Sequence, residues 1–475
     1  MNLMLPELMV LATAFLILGL DLVFMSGRKD WLVGLGLFGL AAAGVATVSL
    51  MGEPDSALDG RFAIDSLTLW FKVVFLTATF LTFTLGSEPF REGAKQPLHW
   101  KAEFLVVMLF TLSGMMFLIS SRDLVSLLVS LELATIPLYA LAAWSRTEKA
   151  GEGAIKYLTV GALASAFLLY GFGLLYGLTG CTTLADIAHA LQPSPAVWLA
   201  AGLITAGIGF KLTLFPFHFW APDAYQGAPT PVTAYLSVAS KAAGLAMAFQ
   251  MFYRVFGIFL ADWAGIVAGL TAVTMTLGNL VAIRQTNLKR FMAYSAISQA
   301  GYLAMGFLGT GAQDAAAMVF YMLVYVLTNL SAFAVLVLHI HQTGEEDITS
   351  VRGLSQLNPL LALAMMVALF GLAGIPPLSG FVGKFFLFSV AAKAGLYWLV
   401  GLAAVNSTIS LYYYLRIVRQ MYIEEPLPGA RPLVAPPLLV TGLLLATVGS
   451  VFCGLIPFFF ERIGENATQW LAHLN

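Results

Sequence analysis

Residues 210–232 read FKLTLFPFHFWAPDAYQGAPTPV. A long apolar run ends at Lys211, and prolines follow at positions 216, 222, 229 and 231. Proline removes a backbone donor and clashes with the preceding turn, so a helix entering this stretch unwinds. A second stretch, 371–385, reads GLAGIPPLSGFVGKF and repeats the arrangement, with Pro376 and Pro377 in mid-span and Lys384 just beyond. Irregular backbone at membrane depth is tolerated where protein encloses it or where it lines a wet cavity. A proline kink can also be purely structural, but a lysine beside each break turns the reading towards function.

The surroundings are hydrocarbon-like. Of 475 residues, 59% are hydrophobic and only 10% charged, with mean hydropathy +0.86. A membrane crossing needs about 20 mostly apolar residues. Such segments fall near 4–25, 31–51, 66–86, 103–120, 123–144, 154–179 and 196–217, then 231–256, 262–283, 289–309, 313–341, 357–393, 395–423 and 433–459. The expected fold is therefore an all-α integral membrane protein of about fourteen transmembrane helices, broken in spans 7 and 12. The alternating segments of a β-barrel are absent. Because the two breaks lie five spans apart, spans four to eight and nine to thirteen suggest an inverted repeat with its site near the midplane. The expected organisation is one polytopic domain: 1–101 for the first three spans, 102–260 and 261–425 for the repeats, and 426–475 for span fourteen and a tail.

With the N-terminus outside, inner loops hold Arg28, Lys29, Arg91, Lys95, Lys101, Arg146, Lys149, Arg284, Lys289, Arg290, Arg352, Arg416, Arg419 and Arg431. Outer loops hold only Arg61, Arg122, Arg254, Lys393 and Arg462. This positive-inside bias puts both termini outward. The N-terminal segment lacks a basic n-region and a cleavage site and reads as the first span. A net charge of −1 offers no basic surface for nucleic acid. Cys181 and Cys453 make no CxxC, haem or cluster spacing and read as packed small residues. No loop is long enough for a soluble redox or nucleotide-binding domain.

Five charges remain inside the spans: Glu132, Lys156, Lys211, Lys241 and Lys384. Together they cost on the order of 10 kcal/mol unless a partner or water meets them. Glu132 reads as the one carboxylate placed deep, since Glu7, Asp21 and Glu103 lie near enough to a span end to reach headgroups. It can be a static ion-pair partner or can tune a lysine, favouring its charged form while burial favours the neutral one. Lys241 lies about ten residues from either end of its span, too deep to snorkel. Lysine titrates readily on burial where arginine does not, and no arginine reads as buried in the spans. Lys156 is near the inner end of its span, where snorkelling is an equal reading, and Lys72 reads as a snorkelling residue. His218 can relay protons or bond the unwound backbone. Tyr294, Ser295, Ser298, Tyr302, Tyr321, Tyr325 and Thr328 can hold water or join helices.

These residues carry a resemblance. The run GFKLTLFPFHFWAPDAYQGAPTPVTAYLSVASKAAG resembles the core of the antiporter-like subunits of respiratory complex I, shared with multisubunit Na⁺/H⁺ antiporters and membrane-bound hydrogenases. YMLVYVLTNLSAF, DITSVRGLSQLNPLLA, GLAGIPPLSGFVGKFFLF and NSTISLYYYLRIV narrow it to the subunit N family of bacterial NADH–quinone oxidoreductases, with mitochondrial subunit 2 as homologue. LVSLELATIPLYAL and EGAIKYLTVGALASAFLLYG fit the same family, and no long extension follows span fourteen as in subunit L. The resemblance implies a bacterial inner-membrane translocase subunit moving protons through Glu132, Lys211, Lys241 and Lys384, with Lys156 and His218 as further members. It implies no cofactor or metal in this chain, flavin mononucleotide and iron–sulfur clusters on other subunits, and neighbours among the complex's membrane subunits, with quinone used by the complex. The second repeat lacks a carboxylate matching Glu132 and a lysine matching Lys241, so the halves differ in role. An Na⁺/H⁺ antiporter subunit without redox partners is the first alternative, and a membrane subunit with static charges the second.

Overall fold

A computed structural model of the chain describes residues 2–24, 30–52, 54–86, 88–90, 98, 99, 101–456 and 458–472. Arg28, Lys29, Arg91 and Lys95, counted above for the loop bias, lie outside these residues. The chain runs α1 (Leu5–Val23), α2 (Trp31–Ser49), β1 (Asp55–Ala57), β2 (Phe62–Ile64), α3 (Ser66–Leu85), α4 (Lys101–Ser120), α5 (Leu124–Ala142) and α6 (Glu148–Thr179). It continues through α7 (Leu184–Ala190), α8 (Pro195–Leu212), α9 (Trp220–Gly227) and α10 (Thr230–Phe249), which ends in a π-helical turn, Gln250–Val255. Then follow α11 (Leu260–Ala282), α12 (Leu288–Ala304), α13 (Ala312–Thr343) and α14 (Leu354–Leu357). The last elements are α15 (Pro359–Ala373), α16 (Ser379–Lys393), α17 (Tyr397–Tyr422), α18 (Pro437–Leu455) and α19 (Phe458–Ala472).

The fold is an all-α, multi-spanning membrane fold. Among the described residues eleven helices are long and apolar enough to cross a bilayer. Three expected spans fall outside that set, and each has a physical reason. α12 is only 17 residues long, α15 and α16 are the two pieces of the broken span, and α17 carries a polar run, NST, with five tyrosines and two arginines. Two three-residue strands, paired antiparallel, depart from the purely helical expectation. The expected tail holds a helix, α19, whose Phe460 ring stacks on Phe386 at 3.5 Å.

The apolar windows of α10 and α13 are buried along their whole length. α3, α15, α16, α18 and α19 pack around α13. Lipid gives helices no hydrophobic reason to associate, so close contact relies on small residues. A Cβ at Gly114 of α4 would meet the backbone of Ala134 at 2.3 Å, and one at Gly278 of α11 would meet that of Ser298 at 2.6 Å. Gly207 of α8 likewise lets Leu168 and the Ala164 carbonyl approach.

Matching features recur 164 residues apart, as from Gly180 to Gly344. Both glycines are left-handed C-caps, of α6 and α13, and each of those helices has 32 residues. Asp123 and Asn287 both cap the following helix through their side chains. Leu124 N–H bonds the Thr182 carbonyl and Leu184 N–H the Arg122 carbonyl; Leu288 with Glu346, and Ile348 with Thr286, do the same. Pro195 and Pro359 open α8 and α15, the helices that run into the two breaks.

Candidate functional site

The first break follows from Thr213, a β-branched residue in the left-handed region (φ 59°), and from Pro216, which has no N–H to continue the ladder. The end of α8 would leave carbonyls unpaired. Trp220 Nε1 donates to the Phe210 carbonyl at 3.2 Å, and Phe215 N–H finds Thr274 Oγ1 at 3.0 Å. Lys211, nearly fully buried, therefore ends α8 with its ammonium aimed at α5. It donates to Thr135 Oγ1 and lies 5.4 Å from the centre of the Phe210 ring.

Glu132 is one turn before Thr135 on α5. It is half-buried rather than enclosed, and it accepts a hydrogen bond from Ser165 Oγ of α6 at 2.6 Å. Among the described residues Glu132 and Lys211 form no ion pair: the ammonium bonds the Thr135 hydroxyl, one turn along α5 from Glu132.

Lys241 is fully buried on α10. Its ammonium donates to the Tyr225 hydroxyl at 3.3 Å. One turn earlier on α10, Ser237 Oγ accepts from Asn329 Nδ2, and its carbonyl accepts from the Tyr325 hydroxyl at 3.2 Å. One turn along α13 from Tyr325, the Tyr321 hydroxyl donates to Gln299 Oε1. Gln299 Nε2 donates to the Leu372 carbonyl at 2.9 Å. That carbonyl also accepts from Lys384 Nζ at 3.0 Å, which bonds the Ala373 carbonyl at 3.0 Å and Ser407 Oγ at 3.1 Å as well. Lys384 thus caps the C-terminal end of α15, where free carbonyls and the helix dipole favour a cation. The Tyr302 ring centre lies 4.4 Å from its ammonium.

A line of buried polar side chains on α9, α10, α12, α13 and α16, joined through the Leu372 carbonyl of α15, therefore lies between Lys241 and Lys384. The sequence singled out Tyr321 and Tyr325 in it but not Tyr225, Ser237, Gln299 or Asn329. Uncharged polar residues are common at membrane helix contacts, so composition alone does not mark them. Their one signal is spacing: Ser237 and Lys241, and likewise Tyr321 and Tyr325, are four apart on one helix face.

Three other expectations change. Glu7 and Lys72, read as reaching headgroups and snorkelling, are both fully buried and form an ion pair at 2.6 Å between α1 and α3. An arginine is largely buried after all: Arg254, in the π-helical turn, lies 2.8 Å from Asp65, which Arg122 also contacts at 2.9 Å. Lys156, by contrast, keeps 44% of its side chain exposed, paired with Glu152 at 2.6 Å and Asp223 at 2.7 Å. His218 is buried against Phe215 and Phe219, and its Nδ1 has no hydrogen-bond partner among the described residues. Among the described residues no hydrogen bond joins its Nδ1 to either lysine or to the unwound backbone.

Among the described residues no group of three His, Cys, Asp or Glu side chains is placed to hold a metal ion, and Cys181 and Cys453 are free thiols.

A family model described as "NADH:quinone oxidoreductase/Mrp antiporter, TM" matches residues 121–410. NADH-quinone oxidoreductase subunit N of Dehalococcoides mccartyi is 37% identical over 100% of both chains. Subunit N of Heliobacterium modesticaldum is 40% identical, covering 97% of this chain and 98% of that one. A chain in the structure of respiratory complex I from Thermus thermophilus with bound aureothin matches with TM-score 0.81 and 35% identity, over 95% of this chain and 97% of its own.

Proposed function

Since the chain belongs to the NADH:quinone oxidoreductase/Mrp antiporter family of membrane subunits, in its subunit N branch, we propose that it translocates protons within a redox-driven NADH–quinone oxidoreductase. The observation that carries this reading is the line of buried hydroxyls and amides between Lys241 and Lys384. Hydroxyl groups both donate and accept, so Tyr225, Tyr325 and Tyr321 can relay a proton, with bound water bridging the gaps between them and carrying it past the Leu372 carbonyl, which only accepts, to Lys384.

In this reading Glu132, Lys211 and Lys241 form the entry half and Lys384 the exit half. Glu132 beside Lys211 favours the ammonium, and burial opposes it. A small shift of the Thr135 contact then decides which form is held. Charge gained at Lys241 is returned through the Tyr325–Tyr321–Gln299 line to Lys384, whose carbonyl cradle receives it. Lys156 sits at the edge of the axis, and His218 is left as a packed side chain until water or a neighbour reaches its Nδ1.

The proposed architecture has fourteen crossings, counting α12, α15 with α16, and α17 besides the eleven. The boundaries are 1–101, 102–260, 261–425 and 426–475. The 164-residue spacing of caps, helix lengths and backbone clasps supports two five-helix repeats, and an odd number of crossings per unit makes them inverted. We place the chain in a bacterial inner membrane with both termini outward. Its partners would be neighbouring membrane subunits, with flavin, iron–sulfur clusters and quinone chemistry on other chains.

Replacing Lys241 or Glu132 by alanine in the assembled complex, reconstituted in vesicles, tests the proposal. Proton pumping should fall sharply while assembly persists. Full pumping with intact assembly would sink it.

A further inference from the structure

The Asp223 carboxylate is held from two sides. Lys156 Nζ of α6 lies 2.7 Å from Oδ2, and Arg290 Nη1 of α12 lies 2.6 Å from Oδ1. Lys156 is shared with Glu152, one turn earlier on α6, and Arg290 also donates to Gln226 Oε1 at 3.1 Å. Glu152, Lys156, Asp223 and Arg290 thus alternate in sign from the outer face of α6 to the second half of the chain. The α6 end of the array is open: Ile155 and Leu158, which flank Lys156, are exposed apolar residues. A carboxylate with two cations can loosen from one without becoming a bare buried charge.

The helix that carries Asp223 is only eight residues long and lies backbone to backbone on α6. A Cβ at Gly153 would come 2.8 Å from the Asp223 carbonyl oxygen, and one at Gly227 would come 2.3 Å from that of Lys149. Two residues beyond Asp223 on α9 stands Tyr225, whose hydroxyl receives the Lys241 ammonium. We propose that Asp223 is a positioning residue, seating α9 between Lys156 and Arg290 so that a change of charge or partner at Lys156 is felt at the Tyr225–Lys241 contact. The proposal rests on the proton-translocation reading above. It gives Lys156 a role although it lies off the buried line, and it makes Arg290 the tie through which the second half shares that change.

The test uses the whole complex in vesicles, scoring protons pumped per electron as a function of pH, with assembly followed on native gels. D223N and K156A should each lower pumping, and the double variant should be no worse than the more severe single one, because residues of one network are not additive. D223N should also displace the pH profile, and D223E should keep wild-type yield and profile. Wild-type yield and profile in D223N, or losses that add in the double variant, would overturn the proposal. Should D223N fail to assemble, K156A against K156R decides: loss in the first with rescue in the second upholds the coupling, and wild-type pumping in K156A ends it. K241A separates the two levels. Pumping lost in K241A but untouched in D223N removes only this inference, whereas pumping untouched in K241A removes the reading beneath it.

Discussion

A glutamate and a lysine that meet at zero exposure, Glu7 and Lys72, are individually expensive and jointly tolerable. Removing one partner leaves an uncompensated buried charge, a loss of about 3–5 kcal/mol, while replacing both with apolar residues is often neutral. K72M should therefore lower the melting temperature of the complex markedly, and E7L/K72M should recover most of it; equal melting of the single and double variants would deny the pair any role. Asp65 answers to acidity. Burial alone would raise its carboxyl, but Arg122 and Arg254, with the Thr68 backbone N–H and hydroxyl, outweigh it and hold it below the usual carboxylate range. Because the folded value is depressed, the stabilisation is present above about pH 4, the ordinary unfolded value, and is lost as pH falls through the folded value. D65N should melt lower than wild type at neutral pH, and the gap should close on acidification; a gap that stays constant with pH would contradict the assignment.

Helices inherit their positions from a few close approaches. A Cβ at Gly380, at the start of α16, would lie 1.8 Å from the Gly371 carbonyl oxygen of α15, a backbone atom that cannot swing aside. G380A should cost about 1–3 kcal/mol or more as overpacking and displace the helix bearing Lys384, lowering both melting temperature and pumping. G173A, with open space around it, is the control and should leave both unchanged. Much at this scale was legible. Apolar runs near 20 residues located the spans, and Pro216 and Pro376–Pro377 located the breaks, because a missing N–H acts within one turn. What meets across helices was not legible. Nothing in residues 5–23 says that Glu7 turns towards α3, and nothing in the spacing of Glu132 and Lys211 says that the ammonium bonds Thr135 rather than the carboxylate. α12 falls short of the expected length, and α17 reaches it but carries many polar residues, several of which neighbours in the bundle rather than lipid satisfy.

Over the whole molecule, Gln299 is the narrowest joint of the buried line: among the described residues it is the side chain that hydrogen-bonds both the Tyr321 hydroxyl and the carbonyl shared with Lys384. Q299L should assemble, since leucine fills similar volume, yet lose pumping several-fold in vesicles; unchanged pumping would show that protons cross between the halves elsewhere. Of this joint the sequence marked Tyr321 and Lys384, since a charge inside a span stands out and an amide does not. The clasp of Arg122 with Leu184 and of Thr286 with Ile348 recurs once per half, and in the proposed inverted arrangement one copy faces out and the other in. The inward copy is flanked by Lys289 and Arg290, in keeping with the preference for cations on the inner side. The outward copy carries Arg122, with Arg254 converging on the same Asp65. In that proposed arrangement Asp65, contributed by the segment ahead of the repeats, offsets part of the charge of two arginines on the side of the bilayer where cations are least favoured.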